Sequence, residues 1–138
     1  MLDVTVTECV RAHKKPWDSI VEEAEEEASF TKKQLREYAT EIEALTYYRR
    51  IPETGRLIFS IMYSYDILLL EGVEPVPSLT EVTKFQRIST QEVIGAIERG
   101  EFRYGCNPLF VDFFIRYKII PEDDDLVRRL YRPLPILS

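Results

Sequence analysis

The chain has 138 residues, of which 45% are hydrophobic and 30% are charged. This balance is typical of one folded globular domain and excludes a largely disordered chain. Its 24 acidic and 18 basic side chains give a net charge of −6, which disfavours broad affinity for nucleic acid because no overall field attracts phosphate. A single Asn and three Gln are a thermophile-like depletion of labile amides.

The sequence also indicates the cellular compartment in which the protein is expected. The longest apolar stretch, residues 57–70, is interrupted by two serines and an aspartate and falls short of the ~20 apolar residues that cross a bilayer. The first residues have neither the basic start nor the apolar run of a signal peptide. We therefore expect a cytoplasmic protein with no membrane contact. Two cysteines, Cys9 and Cys106, are too few for a secreted disulfide scaffold, and whether they pair stays open.

Helix-start signals recur along the chain. A Ser or Thr followed three residues later by Glu or Gln can form a capping box, and four such pairs precede or open an apolar-periodic stretch: Ser19 with Glu22, Thr31 with Gln34, Ser78 with Glu81, and Ser89 with Glu92. After Thr31, apolar residues recur with heptad-like spacing, which predicts a long helix. Over residues 53–70 a mostly apolar segment carries only a thin polar stripe, which predicts a second long helix at the centre of the fold. The predicted helices cover residues 16–28, 31–50, 53–70, 79–85, 90–99 and 109–117, with a last one starting at Pro121.

These signals predict a mainly α fold, a compact array of about six helices that is orthogonal or bundle-like. Residues 1–138 form a single helical domain in this interpretation, with 1–15 as an extended N-terminal arm and 133–138 as an apolar C-terminal tail. In the arm, Leu2, Val4 and Val6 alternate with polar residues, which is the periodicity of a strand. Such a strand needs a partner, and three arrangements are open: pairing with a second chain, pairing with residues 101–105, or lying as a free arm.

Catalytic and metal-binding patterns are not recognisable. Carboxylate-bridged metal sites in helical bundles use Glu-x-x-His on two helices, whereas the single histidine, His13, has no glutamate three residues before it. No family signature surrounds the cysteines, and the five glycines are isolated, so no phosphate-binding loop is present. We expect a non-enzymatic protein with no catalytic residues, no metal and no cofactor.

A nucleic-acid-binding function is the alternative. The short helices predicted at 79–85 and 90–99 have the lengths and the connection of a helix-turn-helix. Gln91 could contact adenine, although two capped helices packing on a core explain the pattern as simply. The residues that would contact nucleic acid are Lys84, Arg87, Gln91, Arg99, Arg103, Arg128 and Arg129.

The favoured function is protein–protein interaction, by self-association or as a small subunit of a larger assembly. Fifteen Tyr and Phe residues and two apolar ends offer more anchoring side chains than a small core needs. The run Tyr47-Tyr48-Arg49-Arg50 combines the aromatic and cationic chemistry of interface hot spots. The predicted interface residues are Leu2, Val4, Val6, Tyr47, Tyr48, Arg49, Leu134 and Ile136.

Overall fold

The structure, a computed structural model, describes residues 2–7, 9–78, 82–103 and 106–130. The chain divides into two compact units. The larger unit is Thr5–Gln86, and the smaller unit combines Met1–Val4 with Arg87–Ser138. The single-domain organisation expected from the sequence stays a prediction.

The larger unit contains two helices and four short strands. In chain order they are α1 (Pro16–Ala28), α2 (Lys32–Tyr38), β1 (Ala39–Glu41), β2 (Leu45–Arg50), β3 (Leu57–Met62) and β4 (Tyr65–Ile67). Pro16 opens α1 because its fixed φ suits a first helical turn. Thr31 opens α2 through the predicted capping box, in which the Gln34 amide donates to Thr31 Oγ1 and the Thr31 amide donates to Gln34 Oε1.

The strands form two antiparallel pairs. β1 pairs with β4, and β2 pairs with β3 so that Leu45 lies opposite Met62 and Arg50 opposite Leu57. The β2–β3 hairpin is closed by a hydrogen bond of 2.8 Å from the Ile51 amide to the Arg56 carbonyl. Gly55 lies in this turn at φ 70°, a left-handed conformation that glycine adopts without strain.

The core of the larger unit lies along α1 and the start of α2. Its buried residues are Ala24, Ala28, Phe30 and Leu35. Half-buried side chains from the segments around them complete the cluster, among them Val6, Trp17 and Ile67. No described side chain of the hairpin belongs to either core cluster. The backbone pairing between β2 and β3 joins the two strands of the hairpin.

The smaller unit is helical. It contains α3 (Thr90–Glu98), α4 (Cys106–Arg116) and α5 (Asp125–Leu130). Ser89 caps α3 by accepting a hydrogen bond of 3.2 Å from the Glu92 amide, as predicted. Its core centres on Val111 and Phe114, which are 0% and 1% exposed. The longest described helix, α1, has 13 residues, and none of the described helices could cross a membrane.

The start of the chain is tied to the smaller unit. Leu2 forms a parallel bridge with Phe102, in which the Leu2 amide donates to Glu101 and the Arg103 amide donates to Leu2. The Asp3 carboxylate accepts a hydrogen bond from Cys106 Sγ at 3.2 Å and lies 3.4 Å from Arg103 Nη1. Of the three arrangements left open for the arm, the structure therefore has pairing with residues 101–103.

The prediction of a mainly α, six-helix array is wrong. The helix predicted at 31–50 ends at Tyr38 and continues as β1 and β2, and the helix predicted at 53–70 is β3 and β4. The physical reason is local: Thr46, Ile58 and Phe59 are typical of the β-branched and aromatic residues that favour strands in these segments. The protein is a mixed α and β fold.

Two smaller expectations also need correction. Residues 82–85 have no helical structure, so the helix predicted at 79–85 is absent over its described part, and its remaining residues lie outside the described ranges. Ser19 lies inside α1, buried at 6% exposure, and does not cap it. The box predicted for Ser78 requires Glu81, which is outside the described ranges.

Candidate interaction surface

One face of the β2–β3 hairpin carries large apolar side chains exposed to solvent. Leu57, Phe59 and Ile61 alternate along β3 and are 59%, 68% and 57% exposed. Because residues directly opposite each other in an antiparallel pair share a face, the register adds three residues of β2. We call this set the outer face: Thr46, Tyr48, Arg50, Leu57, Phe59 and Ile61.

An aromatic pair lies at the middle of the outer face. The rings of Tyr48 and Phe59 stack with centroids 5.7 Å apart and planes inclined by 13°. The Tyr48 hydroxyl is buried and has no hydrogen-bond partner in the described part of the chain. An unpaired buried hydroxyl costs about 1–3 kcal/mol, so Tyr48 contributes through its ring.

Charge is nearly absent from the outer face. Its single charged side chain is that of Arg50, at the end of β2, whose Nη1 donates to the Gly55 carbonyl at 3.2 Å. The guanidinium is therefore turned toward the hairpin loop. A contiguous apolar patch of this kind marks a contact surface more often than a solvated one.

A second feature of the larger unit is a small cleft beside α1. It is lined by a mixture of apolar, polar and aromatic residues: Val10, Pro16, Ser19, Ile20, Glu23, Tyr63 and Tyr65. The rings of Trp17 and Tyr65 contact each other edge-on, with centroids 5.5 Å apart. Burial and the nearby Glu41 carboxylate raise the pKa of Tyr65 above its ordinary value.

The residues predicted as a protein interface belong in part to each of the two units and in part to undescribed segments of the chain. Leu2 and Val4 are half-buried against the core of the smaller unit, and Val6 is half-buried against that of the larger unit. Tyr48 lies on the outer face. Tyr47 and Arg49 belong to β2, but their side chains are not described, and Leu134 and Ile136 lie outside the described ranges.

The residues predicted to contact nucleic acid belong to both units. Lys84 belongs to the larger unit and lies in a segment without helix, while Gln91 is exposed on the first turn of α3. Arg99 pairs with Glu101 at 2.8 Å, Arg103 with Asp3 at 3.4 Å and Arg128 with Asp125 at 3.9 Å. Arg87 is exposed, and the Arg129 side chain is not described. Because residues 82–85 are not helical, the predicted helix-turn-helix is not formed.

Nucleophilic or metal-binding chemistry would use Cys9, Cys106 or His13. Cys9 is exposed and Cys106 is buried. Burial and, next, the hydrogen bond to Asp3 raise the pKa of the Cys106 thiol to about 12. His13 is exposed. Among the described residues, no three His, Cys, Asp or Glu side chains lie together so as to hold a metal ion.

Sequence reasoning missed the outer face. Leu57, Phe59 and Ile61 were assigned to a buried central helix, although the alternation of β3 and the turn residues Pro52 and Gly55 are the signals of a hairpin. Those signals could have located the two strands. They could not have told which of the two faces is exposed.

Comparison with known proteins gives one relationship and no function. No protein-family model matches the chain. The chain is 38% identical over 88 residues to the uncharacterized protein YJR142W of Saccharomyces cerevisiae. The match covers 60% of this chain but 26% of the yeast protein, so the chain spans about a quarter of the length of that relative.

Proposed function

We propose that the chain is a protein–protein interaction module that self-associates through the outer face of the β2–β3 hairpin. The observation that supports this proposal is the row of Leu57, Phe59 and Ile61, each more than half exposed on one side of a two-stranded sheet. Leaving such a row in water is unfavourable, and covering it with another apolar surface removes that cost.

A second copy of the chain is the partner that we propose. Two identical outer faces meet about a two-fold axis, so that each apolar row packs on the other. The chain carries a net charge of −6, and two copies repel each other at a distance. That repulsion is smallest at the outer face, because Arg50 is its single charge and lies at its end.

The expected affinity is modest. The exposed parts of the three side chains amount to roughly 300 Å² per copy, given about 150–250 Å² for a whole large side chain. At about 25 cal/mol per Å², two such faces contribute on the order of 15 kcal/mol. Association itself costs about 4–15 kcal/mol. A cost near the middle of that range, about 9 kcal/mol, leaves about 6 kcal/mol and a Kd of tens of micromolar.

We also make two related proposals. The first is that the chain acts by binding rather than by catalysis, and the second is that it is located in the cytoplasm. The raised pKa of Cys106 supports the first point, since a thiol protonated at neutral pH is a poor nucleophile. The composition supports the second, because two cysteines in 138 residues are too few for a secreted disulfide scaffold.

Sedimentation equilibrium of the wild-type chain tests the proposal. Between about 5 and about 500 µM, a reversible monomer–dimer equilibrium is expected. Raising the salt concentration should tighten it, because salt screens the repulsion between two acidic copies. A chain that stays monomeric over this range at low and high salt would overturn self-association.

A further inference from the structure

The outer face has two different ends. At the end beside the hairpin turn, Arg50 lies opposite Leu57, and at the far end Thr46 lies opposite Ile61. The Arg50 side chain is exposed and donates to the Gly55 carbonyl, so its charge belongs to the turn end. A second copy that packs on this face therefore meets one charged end and one neutral end, and its orientation decides which of its own ends covers each.

A two-fold axis can bring two outer faces together in two ways. Stacked sheets lie ~10 Å apart with their strands aligned to within about 30°. If the axis runs along the strands, β2 of each copy covers β3 of the other, and equivalent ends meet. If the axis runs across the strands at the level of Tyr48 and Phe59, β2 covers β2, β3 covers β3, and opposite ends meet. We call these arrangements the along-strand dimer and the across-strand dimer.

The position of Arg50 disfavours the along-strand dimer. Each Arg50 covers Leu57 of the other copy there, because these two residues are opposite each other in the hairpin. Removing a charged group from water against an apolar side chain is costly. The two Arg50 backbones also come within about 11 Å of each other, given the spacings between sheets and between strands. Since the Debye length is ~8 Å at physiological salt, the repulsion between the two charges is only partly screened.

The across-strand dimer separates the same two charges. Thr46 and Arg50 are four residues apart on β2, so the two Arg50 backbones lie roughly 17 Å from each other in this arrangement, about two Debye lengths. Each Arg50 covers Thr46 of the other copy, whose exposed hydroxyl can accept a hydrogen bond from the guanidinium. Leu57 covers Ile61, and Phe59 covers Phe59, so apolar side chains meet apolar side chains.

We propose that Arg50 determines the orientation of the self-associated pair and that the two copies form the across-strand dimer. This inference rests on the self-association proposed above and specifies which end of the partner each end of the outer face contacts. Of the two arrangements, the across-strand dimer is the one in which a cation meets a hydroxyl and the apolar rows match. Arg50 acts by destabilising the other orientation as much as by stabilising this one.

Charged substitutions at Thr46 test the orientation, with the Kd of each full-length chain measured by sedimentation equilibrium beside the wild type. In the across-strand dimer, Thr46→Glu places a carboxylate over Arg50 of the other copy at two symmetric positions. Two exposed ion pairs should tighten the Kd roughly 2- to 30-fold. Thr46→Lys should weaken the dimer, because it places a second cation over Arg50. Net charge alone predicts the reverse order, since lysine brings the chain of charge −6 nearer to neutrality.

Two further chains serve as controls. Thr46→Gln has the size of the glutamate variant without its charge and should associate about as tightly as the wild type. Thr46→Glu combined with Arg50→Gln should lose the tightening, because the partner of the new carboxylate is gone. In the along-strand dimer the two substituted positions meet at the same end, so that Thr46→Glu and Thr46→Lys would both weaken association.

The outcomes separate this inference from the proposal on which it rests. Tighter association of Thr46→Glu than of Thr46→Gln, with weaker association of Thr46→Lys, supports the across-strand dimer. A Thr46→Glu chain that associates no more tightly than Thr46→Gln would overturn the orientation while a dimeric wild type leaves self-association in place. A monomeric wild type would overturn self-association itself.

Isotope-filtered NMR of mixed labelled and unlabelled wild-type chains provides a measurement without substitutions, in case Thr46→Glu does not fold. Contacts between copies from Leu57 to Ile61 are expected in the across-strand dimer. Contacts between copies from Ile61 to Thr46 would instead show the along-strand dimer and overturn the proposal.

Discussion

Replacing Phe59 by threonine should abolish self-association while leaving the fold in place. Phe59 is 68% exposed at the centre of the outer face, so its ring contributes little to the folded monomer. The ring contact that it loses is the stack on Tyr48, worth about 0.5–1.5 kcal/mol. Threonine keeps the β-branched character that favours a strand.

The magnitude follows from the exposed area. Roughly 100 Å² of apolar surface disappears from each copy when the ring is removed, or about 2.5 kcal/mol per copy at about 25 cal/mol per Å². A symmetric dimer loses this contribution twice, about 5 kcal/mol in total. Since about 1.4 kcal/mol is a factor of ten, the Kd should rise at least ~1,000-fold.

Sedimentation equilibrium of Phe59→Thr beside the wild type measures this effect. Leu68→Thr is the matched control, because Leu68 is equally exposed at 65% but lies outside the hairpin. We expect Leu68→Thr to dimerise like the wild type and Phe59→Thr to be monomeric. Equal dimerisation of all three chains would refute the assignment of the interface to the outer face.

Four further predictions concern groups inside the units. A thiol reagent should label the exposed Cys9 rapidly and the buried Cys106 only after unfolding. The Cys106 thiol, with a pKa of about 12, is ionised in about 1 molecule in 10⁴ at pH 8 and so reacts slowly. Equal labelling rates for the two cysteines in the native chain would contradict this. The same raised pKa should make the folded state lose stability as the pH rises from about 9, where the unfolded thiol ionises, toward 12. Tyr48→Phe should raise the free energy of unfolding by about 1 kcal/mol, because it removes a buried hydroxyl that has no hydrogen-bond partner among the described residues. A lower denaturation midpoint for this variant than for the wild type would contradict the prediction. Phe114→Ala should lower the free energy of unfolding by about 3–5 kcal/mol in urea denaturation, and a loss below ~1 kcal/mol would show that the position is not core.

The helices that the sequence predicts correctly have strong local signals. Pro16 fixes the start of α1, and the Thr31 and Ser89 side chains cap α2 and α3 as expected. These signals act between residues three positions apart, so they depend little on the remainder of the fold. The starts of these three helices could therefore be predicted from the sequence alone.

The segment 39–67 could not be assigned by periodicity. Leu35, Tyr38, Ile42 and Leu45 follow helical spacing, yet the helix ends at Tyr38 and the later residues are in or beside strands. Apolar residues in short runs fit helical and strand periods alike. Strand propensity and the turn at Gly55 favour strands over a helix in this segment. A local pattern does not show which partner strand is available for pairing.

The exposed surface was harder still to predict. In β3 both faces carry apolar residues: Leu57, Phe59 and Ile61 lie on one, and Ile58 and Met62 lie on the other beside Ser60. Both faces therefore look suited to a core, and exposure is set by which face the other elements cover. The N-terminal arm was predicted to be extended from its strand periodicity. Its partner could not be chosen from that pattern, because the pairing of Leu2 with Phe102 depends on where the fold places residues 101–103.

Methyl NMR over a dilution series tests the central claim most directly. Resonances of Leu57 and Ile61 report on the outer face, and those of Leu68 report on an equally exposed position outside the hairpin. If the outer face is the contact surface, the Leu57 and Ile61 methyl resonances shift together as the chain is diluted while those of Leu68 stay in place. Concentration-independent Leu57 and Ile61 resonances in a chain that dimerises would contradict the account.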